Sequence, residues 1–181
     1  MRFQQKFTLG ALTLPLLWGI YCLYSGQYGA AGSALLTVLA IVALDLLHKR
    51  HPWLTTGVYC TALAFILLSV FAGKSLQFYT RVPHWDKLLH FLSGILLYFI
   101  GVRLCIKFDS QANTVLQKYF GLLFAVATAG VWELYEFTGD LLFSLNAQNG
   151  SLSDTMTDIL AGSLSALLTL WTTKKPSSKK R

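Results

Sequence analysis

The stretch YFGLLFAVATAGVWELYEFTGD, residues 119–140, decides the class of this chain. Its first half is an apolar run typical of a membrane helix, and its second half adds Glu133, Glu136 and Asp140 with no Lys or Arg between them. A charged group inside hydrocarbon costs at least about 3 kcal/mol unless it faces the protein interior or a wet cavity. The stretch therefore predicts a membrane helix whose carboxylates have a role inside the protein.

Composition extends this prediction to the whole chain. Of 181 residues, 54% are hydrophobic and 13% charged, and the mean hydropathy of +0.52 lies outside the usual soluble range. A helix needs about 20 apolar residues to cross the hydrocarbon core. The sequence predicts an all-α polytopic membrane bundle, a single domain over residues 1–173 with a basic cytoplasmic tail at 174–181. The six predicted transmembrane helices are residues 7–24, 29–47, 56–73, 87–106, 116–137 and 155–172.

Small side chains inside these spans predict how the helices pack. Glycine lets membrane helices approach closely, and the glycines expected to do so are Gly94, Gly130 and Gly162. The cysteines stand singly, without metal-ligand spacing, and are expected to be small core residues. They are Cys22, Cys60 and Cys105.

The basic residues predict the orientation. With the N-terminus inside, twelve of the fifteen Lys and Arg residues fall in cytoplasmic segments, and only Lys74, Arg81 and Lys87 fall outside. Both termini are therefore expected in the cytoplasm. The net charge of +7 is mainly this topology signal, with the tail placed to touch anionic headgroups. We expect membrane lipids as partners and no nucleic acid.

The acidic residues have the opposite distribution. Six of the eight fall toward the outer face on the last three helices, namely Asp86, Glu133, Glu136, Asp140, Asp154 and Asp158. At 1.5 Å per residue, Glu133 lies about 22 Å along its helix from Lys118, which is still within the outer hydrocarbon. Glu133 is thus the costliest acid to place.

Spacing groups these acids by helix face, because residues three or four apart are neighbours on a helix. Asp86 and His90 are four apart, Glu133 and Glu136 three apart, and Asp154 and Asp158 four apart. Each of the last three helices therefore presents a polar face near the same end. Converging carboxylates repel one another and need a bound cation, shared protons or basic partners.

Simpler interpretations apply to several of these residues. Ser153 or Asp154 is a suitable N-cap for the last helix, although Asp158 lies one turn too deep for capping. His90 can be a satisfied core histidine, or Asp86 can orient its imidazole for metal or proton chemistry. Asp140 can be a solvated loop residue.

Three motifs carry a family resemblance: WDKLLHF, WELYEF and SDTMTDILAG, within residues 84–170. Together they resemble the YjdF-type family of bacterial six-span inner-membrane proteins and, more loosely, VanZ-like membrane proteins. The resemblance implies a multi-pass protein of the bacterial cytoplasmic membrane, but no particular activity. The motif positions are Asp86, His90, Phe91, Glu133, Glu136, Asp154, Thr155 and Asp158. The chain departs from the pattern in having SLSDTMTD where relatives carry Gly-Asp-x-x-Asp-Thr.

The favoured function is a metal-dependent enzyme acting on a lipid or cell-envelope substrate. Oxygen-rich ligands with one imidazole suit Mg²⁺, Mn²⁺ or Ca²⁺, and Zn²⁺ remains compatible. The expected metal ligands are Asp86, His90, Glu136, Asp154 and Asp158. Glu133 and His90 are the expected catalytic residues. The basic residues Arg81, His84 and Lys87 are candidates for binding the substrate, and the aromatic segment KSLQFYTRVPHW, residues 74–85, is expected along the membrane interface.

Two alternatives stay open. The same carboxylates can serve a proton- or cation-coupled transporter, although the first three helices carry little ionisable beyond Asp45. The chain can also be a non-catalytic accessory protein whose acidic cluster fixes helix packing.

Overall fold

A computed structural model describes residues 3–145, 147–148 and 151–173. Within these ranges the chain is helical and contains no strand. The helices are α1 (Phe3–Tyr24), α2 (Tyr28–Arg50), α3 (Thr56–Ser75), α4 (Phe78–Arg81), α5 (Trp85–Phe108), α6 (Thr114–Phe143) and α7 (Leu152–Thr172). The contacts divide the chain into a first unit ending at Trp85 and a second unit beginning at Asp86. The predicted basic tail at 174–181 lies outside the described residues.

Five of these helices are long and apolar enough to cross a membrane: α1, α2, α3, α5 and α6. They coincide with the first five predicted spans and confirm the all-helical membrane class. Helix α7 has 21 residues but begins with the polar sequence LSDTMTD. A sixth span and the cytoplasmic position of both termini remain predictions, as does the single domain over residues 1–173.

The first unit has a polar chain inside its apolar core. Tyr59 is fully buried, and its hydroxyl lies 2.7 Å from Thr8 Oγ1 and donates to Asp45 Oδ1 at 3.4 Å. Lys49 pairs with the same aspartate at 2.6 Å, and the His48 ring stacks on Tyr59. Helices α1, α2 and α3 thus share a hydrogen-bonded link at a buried phenol, where an unpaired hydroxyl would be costly.

Helix α3 changes its winding part-way. It is α-helical over Thr56–Ile66 and π-helical over Leu67–Ser75, a wider turn that sequence patterns do not reveal. Beyond it the backbone is left-handed at Gln77 (φ 62°), just before the short helix α4, and at His84 (φ 58°), just before α5. The segment expected along the membrane interface is therefore a sharp turn and a single helical turn.

Glycines set the packing of the second unit. A Cβ on Gly94 of α5 would collide with the main-chain oxygen of Gly162 on α7, and one on Gly101 would lie 2.9 Å from Gly121 Cα on α6. These close approaches confirm the predicted role of Gly94 and Gly162. The prediction for Gly130 was wrong, because nothing lies within 4 Å of its Cβ position.

The start of α7 differs from the sequence expectation. The N-cap is Ser151, whose hydroxyl accepts from the Asp154 amide at 3.3 Å. The helix therefore begins before Ser153 and Asp154, and both lie in its first turn. Asp154 is left to interact through its side chain with another helix.

The cysteines are free thiols, as their isolated positions predict. Cys22 and Cys105 are buried, which confirms them as core residues, and Cys60 is half-buried.

Candidate cation site in the second unit

Helix α5 contributes Asp86 and His90 to the site. The four-residue spacing puts both side chains on one face, with His90 Nε2 3.8 Å from Asp86 Oδ1. His90 is 7% exposed, whereas Asp86 is half-buried. The carboxylate lies too far for a direct hydrogen bond, and it puts a negatively charged group beside the imidazole.

Helix α6 contributes Glu133. Its side chain is 3% exposed, and its Oε1 lies 3.7 Å from His90 Nε2. This buried oxygen has no hydrogen-bond partner among the described residues. Buried polar atoms are normally satisfied, so an unsatisfied carboxylate oxygen aimed at the imidazole points to a missing partner.

Helix α7 completes the group with Asp158, which is 2% exposed. One ligand atom each from Asp86, His90 and Asp158 lie within 4.8 Å of one another. Opposite ligands of an ion with bonds of about 2.1–2.4 Å lie about 4.2–4.8 Å apart. The three side chains are therefore spaced to close on a divalent cation after small rotations.

Lys87 supplies the main positive charge among these acids. Its Nζ donates to Asp154 Oδ1 at 2.5 Å and lies 3.0 Å from both carboxylate oxygens of Asp158. It also lies 3.4 Å from the main-chain oxygen of Asp154. The Lys87 side chain is 28% exposed, and its ammonium contacts oxygens of α7. It neutralises one of the four carboxylates nearby.

Two expected metal ligands lie outside the three-residue group. Asp154 is held by Lys87. Glu136 lies one turn beyond Glu133, where its Oε1 accepts from the indole Nε1 of exposed Trp132 at 2.8 Å. The structure thus places Asp86, His90 and Asp158 together, with Glu133 beside His90, and turns Glu136 toward Trp132.

The loop after α6 is tied to the same end of the unit. The Asp140 carboxylate accepts from the amides of Ala147 at 2.6 Å and Gln148 at 2.9 Å. The Gln148 side chain donates to the main-chain oxygen of Glu133 at 3.3 Å and to Thr155 Oγ1 at 2.8 Å. Asp140 is therefore a loop-organising residue, and Gln148 links α6 to α7 beside the acidic group.

The remaining candidates for substrate binding lie in the first unit. Arg81 is exposed and donates to the side-chain oxygen of Gln77 at 3.1 Å. His84 is exposed in its left-handed turn. Neither forms part of the group on α5, α6 and α7.

Sequence reasoning proposed Lys87 as one of several basic partners for the acids but did not identify which aspartates it contacts, and it missed Gln148. Lys87 follows Asp86 directly, and only the packing of α5 on α7 reveals that it faces two aspartates 67 and 71 residues away. Gln148 gives no signal, since a lone glutamine in a loop carries no spacing pattern.

Comparison with known proteins identifies the family. The model of the family described as "Predicted membrane protein (DUF2238)" matches residues 6–176. The chain belongs to this family. Its membrane character agrees with the helices, and the assignment is consistent with the resemblance to YjdF-type proteins.

One curated relative is a Thermotoga maritima protein described as "Uncharacterized protein". It is 32% identical over 100 residues, which cover 52% of this chain and 50% of the relative. The chain thus matches about half the length of that protein. No solved structure matches the chain.

Proposed function

We propose that this DUF2238 protein is a divalent-cation-dependent enzyme of the bacterial cytoplasmic membrane that acts on a lipid or lipid-linked envelope substrate. The observation that carries the proposal is the cluster of half-buried Asp86 with buried His90 and Asp158, with the unsatisfied Glu133 oxygen beside His90. If the chain crosses the membrane six times with both termini in the cytoplasm, this group lies at the outer face of the membrane.

Charge balance supports a cation. Asp154 and Asp158 contact Lys87, and Asp86 and Glu133 lie beside His90, so three negative charges remain when all four acids are ionised and His90 is neutral. Uncompensated charges in a helix bundle within a membrane are expensive. A divalent ion would remove two of these charges at the place where the ligand atoms already converge.

The types of ligand atom limit which metal ions can bind. Two carboxylates and one imidazole suit Mn²⁺ and Zn²⁺, and the surrounding oxygens also permit Mg²⁺ or Ca²⁺. Thiolate-type sites are excluded here, because the three cysteines lie elsewhere as single residues. We therefore assign Asp86, His90 and Asp158 as the ligands.

The proposed type of reaction is based on what a divalent ion does and on the Glu133 carboxylate beside it. A divalent ion polarises a phosphoryl or carbonyl oxygen or activates water. Glu133 Oε1 is buried 3.7 Å from His90 Nε2, and it would act as the general base that accepts a proton from a water or hydroxyl if an ion were bound there. Hydrolysis or transfer at a lipid headgroup is the proposed chemistry. The looser likeness to VanZ-like proteins adds nothing to it.

The first test measures bound metal and reaction separately. Purified wild type is compared with Asp158→Asn, Glu133→Gln and the control Asp109→Asn, an exposed acid at the other end of α5. We expect about one divalent ion per chain in all but Asp158→Asn. Wild type and Asp109→Asn should then alter an extract of bacterial membrane lipids, read by mass spectrometry, whereas Glu133→Gln should not.

Two results would overturn parts of the proposal. Absence of metal from wild type after addition of Mg²⁺, Mn²⁺, Ca²⁺ and Zn²⁺ would refute the cation site. A metal-loaded wild type that changes no lipid, and behaves like Glu133→Gln, would refute the enzyme and leave a cation-binding protein.

A cation- or proton-coupled transporter is the second candidate. The observation that favours it is the hydrogen-bonded chain Thr8–Tyr59–Asp45 in the first unit, which joins a buried phenol to a carboxylate between α1, α2 and α3. Liposomes with an imposed pH gradient test it: flux in wild type that Asp45→Asn abolishes would favour transport, and no flux in either would exclude it.

A further inference from the structure

Lys87 lies where a second cation would bind. Its Nζ has four oxygens within hydrogen-bonding distance: Asp154 Oδ1 at 2.5 Å, both carboxylate oxygens of Asp158 at 3.0 Å, and the Asp154 main-chain oxygen at 3.4 Å. Carboxylate and main-chain oxygens are the ligands that hard divalent cations take in proteins. We infer that the Lys87 ammonium occupies the second position of a two-cation site and limits the protein to one metal ion.

Asp158 joins the two positions. Its carboxylate belongs to the group with Asp86 and His90, and the same carboxylate contacts Lys87. A carboxylate between two cations is a suitable bridge for a two-metal site, in which the ions lie about 3.5–4 Å apart. The first position contains an imidazole nitrogen, and the second contains oxygen only. This inference rests on the proposed metal at the first position.

The donors of Lys87 are already used. An ammonium has three N–H groups, and four oxygens surround this one. Its N–H groups are therefore directed to the oxygens of Asp154 and Asp158, and substrate binding by Lys87 stays a prediction. Its charge compensates Asp154 and Asp158, and removing it would take the ammonium away from two carboxylates that are partly or fully buried, which is costly.

Metal stoichiometry tests the inference. Mn²⁺ binding is measured by equilibrium dialysis for wild type, Lys87→Met and Lys87→Arg. We expect about one Mn²⁺ in wild type and in Lys87→Arg, and about two in Lys87→Met, with spin-coupled Mn²⁺ pairs in its electron paramagnetic resonance spectrum. The double variant Lys87→Met/Asp154→Asn should return to one.

The outcomes separate this inference from the proposed function. One Mn²⁺ in both wild type and Lys87→Met would refute the second position and keep the first. None in wild type but one in Lys87→Met would refute the first position, and with it the proposed enzyme, and keep the second.

Thermal unfolding tests the inference even if the Lys87→Met variant is poorly stable. We expect Mn²⁺ to raise the Tm of Lys87→Met in detergent by more than it raises that of wild type, because an ion replaces the lost ammonium. The Lys87→Arg variant should respond as wild type does. An equal Mn²⁺ response in all three proteins would contradict the inference.

Discussion

Lys87 and Asp158 face each other across two helices, with Lys87 Nζ 3.0 Å from both carboxylate oxygens of an aspartate that is 2% exposed. The contact fixes α5 against α7 next to His90. It makes Asp158 the residue on which both the packing and the proposed chemistry depend.

Replacing Asp158 by Asn should destabilise the protein. The variant removes a buried charge that Lys87 contacts, leaving the ammonium with Asp154 alone, and we expect a loss of about 1–3 kcal/mol in the free energy of unfolding. Unfolding in detergent measures it. Asp109→Asn, at an exposed site, should change stability by less than about 0.5 kcal/mol, and equal losses in both variants would contradict the contact.

The close approach of α5 and α7 predicts a difference between two glycines. Gly94→Ala should cost about 1–3 kcal/mol or more, because its methyl group would collide with the main chain at Gly162. Gly130→Ala is the matched control, since nothing lies within 4 Å of its Cβ position. Thermal unfolding in detergent should show a lower Tm for the first variant only. A similar Tm for both would mean that the helices are less closely packed.

The hydrogen bonds of the Tyr59 hydroxyl predict that its removal lowers the stability of the first unit. Tyr59→Phe removes the hydroxyl shared with Thr8 and Asp45 and should cost about 1–2 kcal/mol. The same change at Tyr119, which is 55% exposed, should be close to neutral. Unfolding measured for both variants checks this, and a neutral Tyr59→Phe would show that the buried link does not stabilise the unit.

Gln148 should hold the start of α7 in place. Gln148→Ala removes the side-chain bonds to Glu133 and Thr155, so amide hydrogen exchange at 152–158 should become faster. Gln111→Ala, at an exposed loop position, is the control. Unchanged exchange in the Gln148 variant would show that Gln148 does not stabilise the start of α7.

Helical spacing predicted part of the site. The intervals between Asp86 and His90 and between Asp154 and Asp158 define faces within one helix, and these pairs lie at the same end of the second unit. Glu133 is predicted because a carboxylate within a membrane span must face the protein interior or a wet cavity. Local patterns sufficed for these residues, since each depends on one helix only.

The sequence does not predict which face of each helix is buried against its neighbours. Glu136 has the spacing of a ligand, yet its carboxylate accepts from Trp132 on the same helix, because α6 buries Glu133 and not Glu136. Gly130 looked equivalent to Gly94 and lies in open space instead. The N-cap at Ser151 is a local contact with the Asp154 amide, and the π-helical half of α3 has no signal in the sequence pattern.

The most direct measurement for the central claim is pulsed electron paramagnetic resonance of Mn²⁺ bound to protein labelled with ¹⁵N-histidine. The account predicts about one bound Mn²⁺ with a directly coordinated ¹⁵N that disappears in His90→Gln and persists in His84→Gln, whose residue lies in the first unit. Bound Mn²⁺ without ¹⁵N coupling in wild type, or coupling that survives in His90→Gln, would contradict a cation held by Asp86, His90 and Asp158.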